Sequence, residues 1–176
     1  MASLQGAPYD EVMHSWHRNG GTVFVTAGTG YGKTALSAFD AAELDAKILA
    51  TNAIRVTSFV PPGWTIVRDG EALAAASGDG AFLPMAYQYA VSHTERVAAC
   101  LMIGVNADHH RASIVMEHAE TGIDPQTLRS TAKESVEEVF HARGWKIADF
   151  VVADAYGEPR DGLFVCALVA AIYVPR

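Results

Sequence analysis

The sequence predicts an α+β fold in which helices cover β-sheets. Most apolar segments are short, rich in β-branched and aromatic residues, and separated by turn residues, as strands are. Two segments carry helical signals, but the succession of strand–helix crossovers that a parallel sheet needs is missing. The chain has 176 residues, half of them hydrophobic, and this length fits a single domain over residues 1–176 with one substantial core.

Strands are predicted wherever a short apolar segment contains β-branched and aromatic residues. Residues 52–60 form such a segment, which ends at Pro61-Pro62-Gly63 because proline cannot continue a ladder. Residues 97–105 are almost wholly apolar, so we expect that strand to be buried. The predicted strands are residues 22–26, 52–60, 82–92, 97–105, 112–120, 150–155 and 163–174.

The clearer of two predicted helices starts at Asp124-Pro125 and runs to about Arg143. Aspartate caps a helix, proline suits the first turn, and Gly144 ends the helix.

The other helix is predicted over residues 34–46, with Leu36, Phe39 and Leu44 near one face. The remaining expectations are a peripheral segment over residues 1–19, a glycine-rich loop over residues 28–32 and an exposed connection over residues 71–80.

Charge and cysteine content exclude several classes of partner. The net charge of −7 argues against binding to nucleic acid or to an anionic membrane, and it does not oppose a cationic substrate. The sequence shows neither a signal-peptide layout nor an apolar stretch that spans a bilayer. Cys100 and Cys166 lie in apolar segments, as small buried residues do in a reducing compartment. We therefore expect a cytoplasmic protein.

Two short motifs suggest other kinds of site. Residues 27–34 read A-G-T-G-Y-G-K-T, which fits a relaxed phosphate loop with Lys33 near the phosphates, although a tight turn between strand and helix is the favoured interpretation. His93 and His109-His110 invite a metal site, but they lie in or near predicted turns without a convincing partner. We expect solvated histidines and no metal.

The pair Thr57-Ser58 carries a more specific possibility. Taken alone, it is two hydroxyl residues that end a strand before a proline break. A serine in a strained bend can instead attack the preceding carbonyl carbon and turn the peptide bond into an ester. β-Elimination then splits the chain, and the resulting dehydroalanine hydrolyses to a pyruvoyl group. This reaction needs backbone strain and a donor for the oxyanion.

Several motifs occur in order along the chain, with compatible spacing. They are Gly28 and Gly32 followed by Leu36-Ser37-Ala38-Phe39-Asp40, then Asn52-x-Ile54-Arg55-x-Thr57-Ser58-x-x-Pro61-Pro62, Leu83-Pro84-x-Ala86-Tyr87, Met116-Glu117 and Arg143-Gly144-Trp145. From Thr22 to Tyr173, the sequence resembles the pyruvoyl-dependent arginine decarboxylases.

This resemblance implies an αββα sandwich and self-cleavage into a β chain, residues 1–57, and an α chain, residues 58–176. It implies that Ser58 becomes a covalent pyruvoyl cofactor, and that Asn52 positions the cleavage site and the pyruvoyl carbonyl. It also implies a homotrimer, or a hexamer of two stacked trimers, with each site at a subunit boundary.

The implied reaction converts L-arginine to agmatine and CO₂, a step of polyamine biosynthesis. The substrate amine condenses with the pyruvoyl ketone, and the resulting imine accepts the electron pair left by CO₂. Glu117 is the implied proton donor, and this role requires an apolar environment that keeps it protonated.

Asp40 is the implied partner of the substrate guanidinium, which it can hold through two parallel hydrogen bonds. Leu36 and Glu43 are the other expected substrate-binding residues. Glu43 stands where the family is expected to have an apolar residue, and Thr57 stands where a serine is expected. A differently specific or non-catalytic homologue is therefore the alternative, and a P-loop nucleotide-binding protein is a less favoured one.

Overall fold

A computed structural model describes residues 20–48, 50–76, 78 and 80–176 of the chain. These residues form two β-sheets with an apolar core between them, and a long helix packs against the outer face of each sheet. The layer order α, β, β, α confirms the predicted sandwich. The predicted peripheral segment, residues 1–19, lies outside the described residues.

The helices are α1 (Ala35–Asp45), α2 (Gly70–Ala76) and α3 (Pro125–Ala142). In the described residues no helix has the length and apolar character required to cross a membrane. The strands are β1 (Gly21–Gly32), β2 (Asn52–Arg55), β3 (Phe59–Val60), β4 (Thr65–Val67), β5 (Phe82–Ser92), β6 (Val97–Asn106), β7 (Ser113–Thr121), β8 (Ile147–Gly157) and β9 (Phe164–Pro175). Sheet A has the strand order β2-β5-β9-β1-β4, and sheet B has the order β3-β7-β6-β8.

The central strand β9 is apolar on both faces. Because its side chains alternate between the faces, they contribute to two separate layers of the core. One set of residues points between the sheets and includes Val165, Val169 and Tyr173. The other set points towards α1 and includes Leu168 and Ile172. The apolar stretch predicted over residues 163–174 is therefore a strand buried on both faces.

The glycine-rich segment was predicted to be a loop, and this prediction is wrong. Gly28, Gly30 and Gly32 belong to β1, which pairs with β9 in antiparallel register along its whole length. A Cβ atom at Gly28 would lie 2.1 Å from the Ala42 carbonyl oxygen, and one at Gly30 would lie 2.2 Å from the Ala42 nitrogen. The glycines therefore let α1 pack directly against the strand backbone.

This arrangement also excludes the phosphate loop. The segment is extended, and the Asp45 carboxylate accepts a hydrogen bond from the Thr29 N–H at 2.9 Å. A carboxylate at this position repels a phosphate.

The close approach of α1 reverses the expected face of that helix. Ala38 and Ala42 are buried against sheet A, whereas Leu36 and Leu44 are 76% and 60% exposed. Only a methyl-sized side chain fits where the helix meets bare backbone, so the larger apolar residues point outwards. Phe39 alone of the predicted apolar face packs partly against the core.

The predicted strand over residues 52–60 is two strands in different sheets. β2 pairs in parallel with β5 at the edge of sheet A, and β3 pairs with β7 at the edge of sheet B. Residues 56–58 cross from one sheet to the other. The chain thus changes sheets before it reaches Pro61.

Two other local predictions had different outcomes. The segment 71–80 was predicted as a connection, but α2 occupies its first part, where Leu73 is buried and the Asp69 carboxylate accepts hydrogen bonds from two backbone N–H groups. The helix predicted from Asp124 is confirmed as α3, with the Asp124 side chain accepting from the N–H groups of Gln126 and Thr127.

Candidate active site

Ser58 lies in the crossing between the two sheets. Its carbonyl oxygen accepts a hydrogen bond from the Val115 N–H at 3.0 Å, and the next residue, Phe59, pairs with Ile114. The edge of β7 therefore fixes the backbone on the C-terminal side of Ser58.

The Ser58 hydroxyl contacts the carboxyl group of Glu117. Its Oγ lies 2.9 Å from Oε1 and 2.9 Å from Oε2. Glu117 follows Val115 by two residues on β7, so both side chains lie on the same face of the strand. Val115 is part of the core between the sheets. Glu117 therefore points inwards and is half-buried.

The Thr57 carbonyl is held in a tight turn around Ser58. The Phe59 N–H donates to the Thr57 oxygen at 3.0 Å, which is the pattern of a γ-turn. This oxygen would carry the negative charge if Ser58 attacked the Thr57 carbonyl, so the required oxyanion donor is present. Neither Thr57 nor Ser58 has the strained backbone conformation that a positive φ marks. Among the described non-glycine residues, only Lys47 has a positive φ.

The surroundings of Glu117 favour its protonated form. Burial raises the pKa of the Glu117 carboxyl, and the hydrogen bond from Ser58 and the positive charge of Arg55 oppose this shift only in part. The pKa of Glu117 therefore lies above the ordinary value for glutamate. Such a carboxyl can deliver a proton at a pH where an exposed glutamate is ionised.

Arg55 lies at the edge of the site on β2. Its Nη2 donates to the Tyr87 carbonyl oxygen at 2.8 Å, and its guanidinium lies 4.9 Å from the centre of the Tyr87 ring. These contacts anchor the arginine to β5.

Asn52 is exposed at the start of β2. Its side-chain Nδ2 donates to the Gly80 carbonyl oxygen at 3.2 Å, and its backbone N–H donates to the Ala81 carbonyl oxygen at 2.7 Å. Within the described part of the chain, no hydrogen bond joins Asn52 to Thr57 or Ser58. Its expected role at the cleavage site remains a prediction.

The expected substrate-binding residues lie on α1. Asp40 and Leu36 are exposed, and Glu43 is half-buried. Burial, with a smaller contribution from the charge of Asp40, raises the pKa of Glu43. Because α1 covers the outer face of sheet A and Glu117 points between the sheets, a single chain does not bring these residues together with Ser58.

Tyr173 was not singled out from the sequence. It stands near the end of the apolar strand β9, is 5% exposed, and points into the layer that Glu117 enters. An inward-pointing hydroxyl in an otherwise apolar strand is the signal that could have identified it. Its position was hidden because β9 and β7 belong to different sheets.

No group of three or more metal-ligating side chains occurs in the segments that the structure describes. His109 and His110 are exposed in the turn after β6, with ring centres 4.8 Å apart.

Comparison with known proteins gives one family. The sequence model of the family described as pyruvoyl-dependent arginine decarboxylase (PvlArgDC) matches residues 22–176. A protein of this name from Methanocaldococcus jannaschii is 31% identical over 137 residues, covering 77% of this chain and 79% of that protein. One from Methanococcus maripaludis strain C6 is 30% identical over 162 residues, covering 90% and 93%. One from Methanopyrus kandleri is 31% identical over 149 residues, covering 85% and 93%.

Among solved structures, a pyruvoyl-dependent histidine decarboxylase matches with a TM-score of 0.49 and 16% identity, covering 57% of this chain and 53% of that one.

Proposed function

We propose, since this chain belongs to the pyruvoyl-dependent arginine decarboxylase family, that it cleaves itself between Thr57 and Ser58 and decarboxylates L-arginine to agmatine. Members of this family are carboxy-lyases with a covalent pyruvoyl group derived from a serine. The observation that carries the assignment to these residues is the contact of the Ser58 hydroxyl with both oxygens of Glu117, at 2.9 Å each.

The residues around Ser58 suit the self-cleavage reaction. Ser58 Oγ attacks the Thr57 carbonyl carbon, its proton passes to the ionised form of Glu117, and the Phe59 N–H stabilises the oxyanion. Collapse of this adduct breaks the bond from the Thr57 carbon to the Ser58 nitrogen, which gains a proton, and leaves an ester.

The second half of the reaction opens the chain. A base removes the Ser58 α-proton, and the electron pair expels the ester oxygen as the new Thr57 carboxylate. The dehydroalanine that remains tautomerises and reacts with one water molecule, so that ammonia leaves and a ketone stays at the start of the fragment 58–176.

In the mature enzyme, the pyruvoyl group supplies the sink for the electron pair that CO₂ leaves behind. Glu117 then protonates the substrate α-carbon, a role that its raised pKa supports. Asn52 helps to hold the pyruvoyl carbonyl in place. The position of Ser58 between the sheets and beside Glu117 fits this chemistry.

The guanidinium of arginine is bound by Asp40, with Leu36 and Glu43 lining the same subsite. These residues come from a neighbouring protomer in a homotrimer or a hexamer, because one protomer keeps α1 away from Ser58. Large exposed apolar side chains support this assembly, since Leu36, Phe82 and Ile54 are 76%, 70% and 48% exposed. β2 is moreover an edge strand, paired with β5 on one side only.

A cytoplasmic location and a role in polyamine biosynthesis complete the proposal. Cys100 and Cys166 are buried free thiols, as in a reducing cytoplasm. Agmatine places the enzyme in polyamine biosynthesis.

Self-cleavage is tested by intact mass spectrometry and a denaturing gel of purified protein. We expect fragments 1–57 and 58–176 from the wild type and from Ser130→Ala, a control on the exposed face of α3, and a single full-length chain from Ser58→Ala. A wild type that stays full-length when folded and assembled would contradict the proposal.

The substrate is tested by CO₂ release from arginine, ornithine, lysine and aspartate. Glu43 favours a differently specific homologue as the second candidate, because it adds a half-buried carboxylate beside Asp40. Clean cleavage with turnover of another amino acid, and none of arginine, would support that candidate.

A further inference from the structure

The proposed conversion of Ser58 removes a hydrogen bond from the site. In the uncut chain, the Ser58 hydroxyl donates to Glu117. β-Elimination breaks the bond between Cβ and Oγ of Ser58, so this oxygen leaves with the new carboxylate of Thr57. Glu117 then loses its donor while it stays half-buried, and an unpartnered carboxyl is unfavourable in such a position.

Tyr173 is a donor without a partner. Its side chain is 5% exposed, and among the residues that the structure describes its hydroxyl makes no hydrogen bond. Buried tyrosine hydroxyls usually have a partner, so this one calls for an explanation.

Tyr173 and Glu117 enter the same layer from opposite sheets. Tyr173 belongs to the core cluster between the sheets together with Val115 and Leu101. Glu117 lies on the same face of β7 as Val115 and pairs with Leu101 across β6. Together with burial, the negative charge of Glu117 raises the pKa of the Tyr173 hydroxyl, so the two groups lie within electrostatic reach of each other.

We propose that Tyr173 replaces Ser58 as the hydrogen-bond donor to Glu117 after self-cleavage, and that it thereby positions Glu117 for proton transfer. This inference rests on the proposed function. The Tyr173 hydroxyl holds the carboxyl in an inward orientation after the serine hydroxyl has gone. When Glu117 gives up its proton, the same hydrogen bond stabilises the carboxylate that forms.

Few charged groups compete for Glu117. Among the described residues, Arg55 on β2 and the Ser58 hydroxyl lower the pKa of Glu117, and Tyr173 on β9 is an ionisable group whose pKa Glu117 raises. The neighbouring strand β6 places the uncharged Leu101 beside Glu117 in sheet B. Arg55 is exposed and lowers the pKa of Glu117. Because Arg55 is present in every variant below, its effect is the same in each and cancels when the variants are compared.

The test compares Tyr173→Phe with Tyr156→Phe, a control on the partly exposed strand β8. We expect both variants to be cleaved like the wild type, because the Ser58 hydroxyl still donates its hydrogen bond to Glu117 in the uncut chain. In Tyr173→Phe, kcat falls about tenfold with little change in KM. The high-pH limb of the kcat profile moves to higher pH, because the Glu117 carboxylate loses a donor. If the high-pH limb of the kcat profile stayed at the wild-type pH, the proposal would be overturned. A tyrosine with only a structural role would not change the pH at which Glu117 loses its proton.

A second measurement does not depend on cleavage or activity. Ser58→Ala removes the serine hydroxyl from the uncut chain, and its crystal structure should show Tyr173 Oη within hydrogen-bond distance of Glu117. A Glu117 carboxyl that turns away from Tyr173 in this variant would overturn the inference. Failure of the wild type to cleave would count against the proposed function and leave this structural test intact.

Discussion

Replacement of Glu117 by glutamine tests the proton-donor role most directly. Glutamine has nearly the same shape and keeps one acceptor oxygen for the Ser58 hydroxyl, but it has no proton to give to the substrate. The Ser58 hydroxyl has one proton, so it donates to one Glu117 oxygen at a time, although both lie at 2.9 Å. We therefore expect Glu117→Gln to lower the free energy of unfolding by no more than about 1 kcal/mol.

The effect on catalysis is much larger. A positioned general acid contributes about 10²–10⁴-fold, so kcat per cleaved site should fall by that factor while the KM for arginine stays similar. Glutamine also cannot take up the Ser58 proton, so we expect slower self-cleavage, and kcat is normalised to the cleaved fraction. In the wild type, activity should decline as pH rises through the raised pKa of Glu117, because the protonated form is then lost.

The same carboxyl also affects stability. The folded protein binds this proton more tightly than the unfolded chain does, so the free energy of unfolding falls as pH rises from 4.5 through the folded-state pKa. Glu117→Gln lacks this part of the pH dependence.

The assay is CO₂ release from arginine across a pH series, with cleavage scored on a gel of each preparation. Glu120→Gln is the matched control, because Glu120 is an exposed carboxylate on the same strand. Wild-type activity in a fully cleaved Glu117→Gln preparation would refute the assignment of Glu117.

Three further changes test the substrate site, the fold and the assembly. Asp40→Asn should raise the KM for arginine about ten- to a hundredfold with little change in kcat, because a charged hydrogen-bonding partner of the guanidinium is lost; an unchanged KM in steady-state kinetics would exclude Asp40. Gly30→Ala, made in the uncleaved Ser58→Ala background so that a single polypeptide unfolds, should lower the free energy of unfolding by about 3 kcal/mol or more in denaturant titration, since its Cβ would lie 2.2 Å from the Ala42 nitrogen. Gly78→Ala in the same background, with open space around it, should be nearly neutral. Phe82→Asp should reduce the oligomer mass measured by light scattering, because Phe82 is 70% exposed and is one of the apolar side chains proposed to support assembly. An unchanged mass would place the interface elsewhere.

The sequence predicted most of the sandwich because local signals agree with tertiary structure in β5, β6, β7, β9 and α3. The capping aspartate of α3 is one such signal, since it acts through bonds to its own helix. The glycine-rich segment was wrongly predicted as a loop, because its glycines allow α1 to pack closely against β1 and do not form a turn. Only the position of α1 reveals this, and no local pattern encodes that position.

The sequence proposed residues for the candidate site but not how they are arranged. Ser58 and Glu117 were identified through the resemblance to a family, and their hydrogen bond spans 59 residues of sequence. The pairing of β3 with β7 creates this contact, and β3 was hidden inside a predicted strand that changes sheets. Tyr173 was missed for a similar reason, because its relation to Glu117 exists only across the two sheets.

The sheet change at residues 56–58 determines what scission does to the fold. A cut there severs a linker and removes no strand from either ladder, so β2 stays on sheet A and β3 stays on sheet B. The N-terminal piece would still supply β1, which lies between β9 and β4 of the other piece. Two unlinked polypeptides would thus remain interleaved as one body. Separately made halves would each have an incomplete sheet A, so a protein cut at this point would have to fold before the cut.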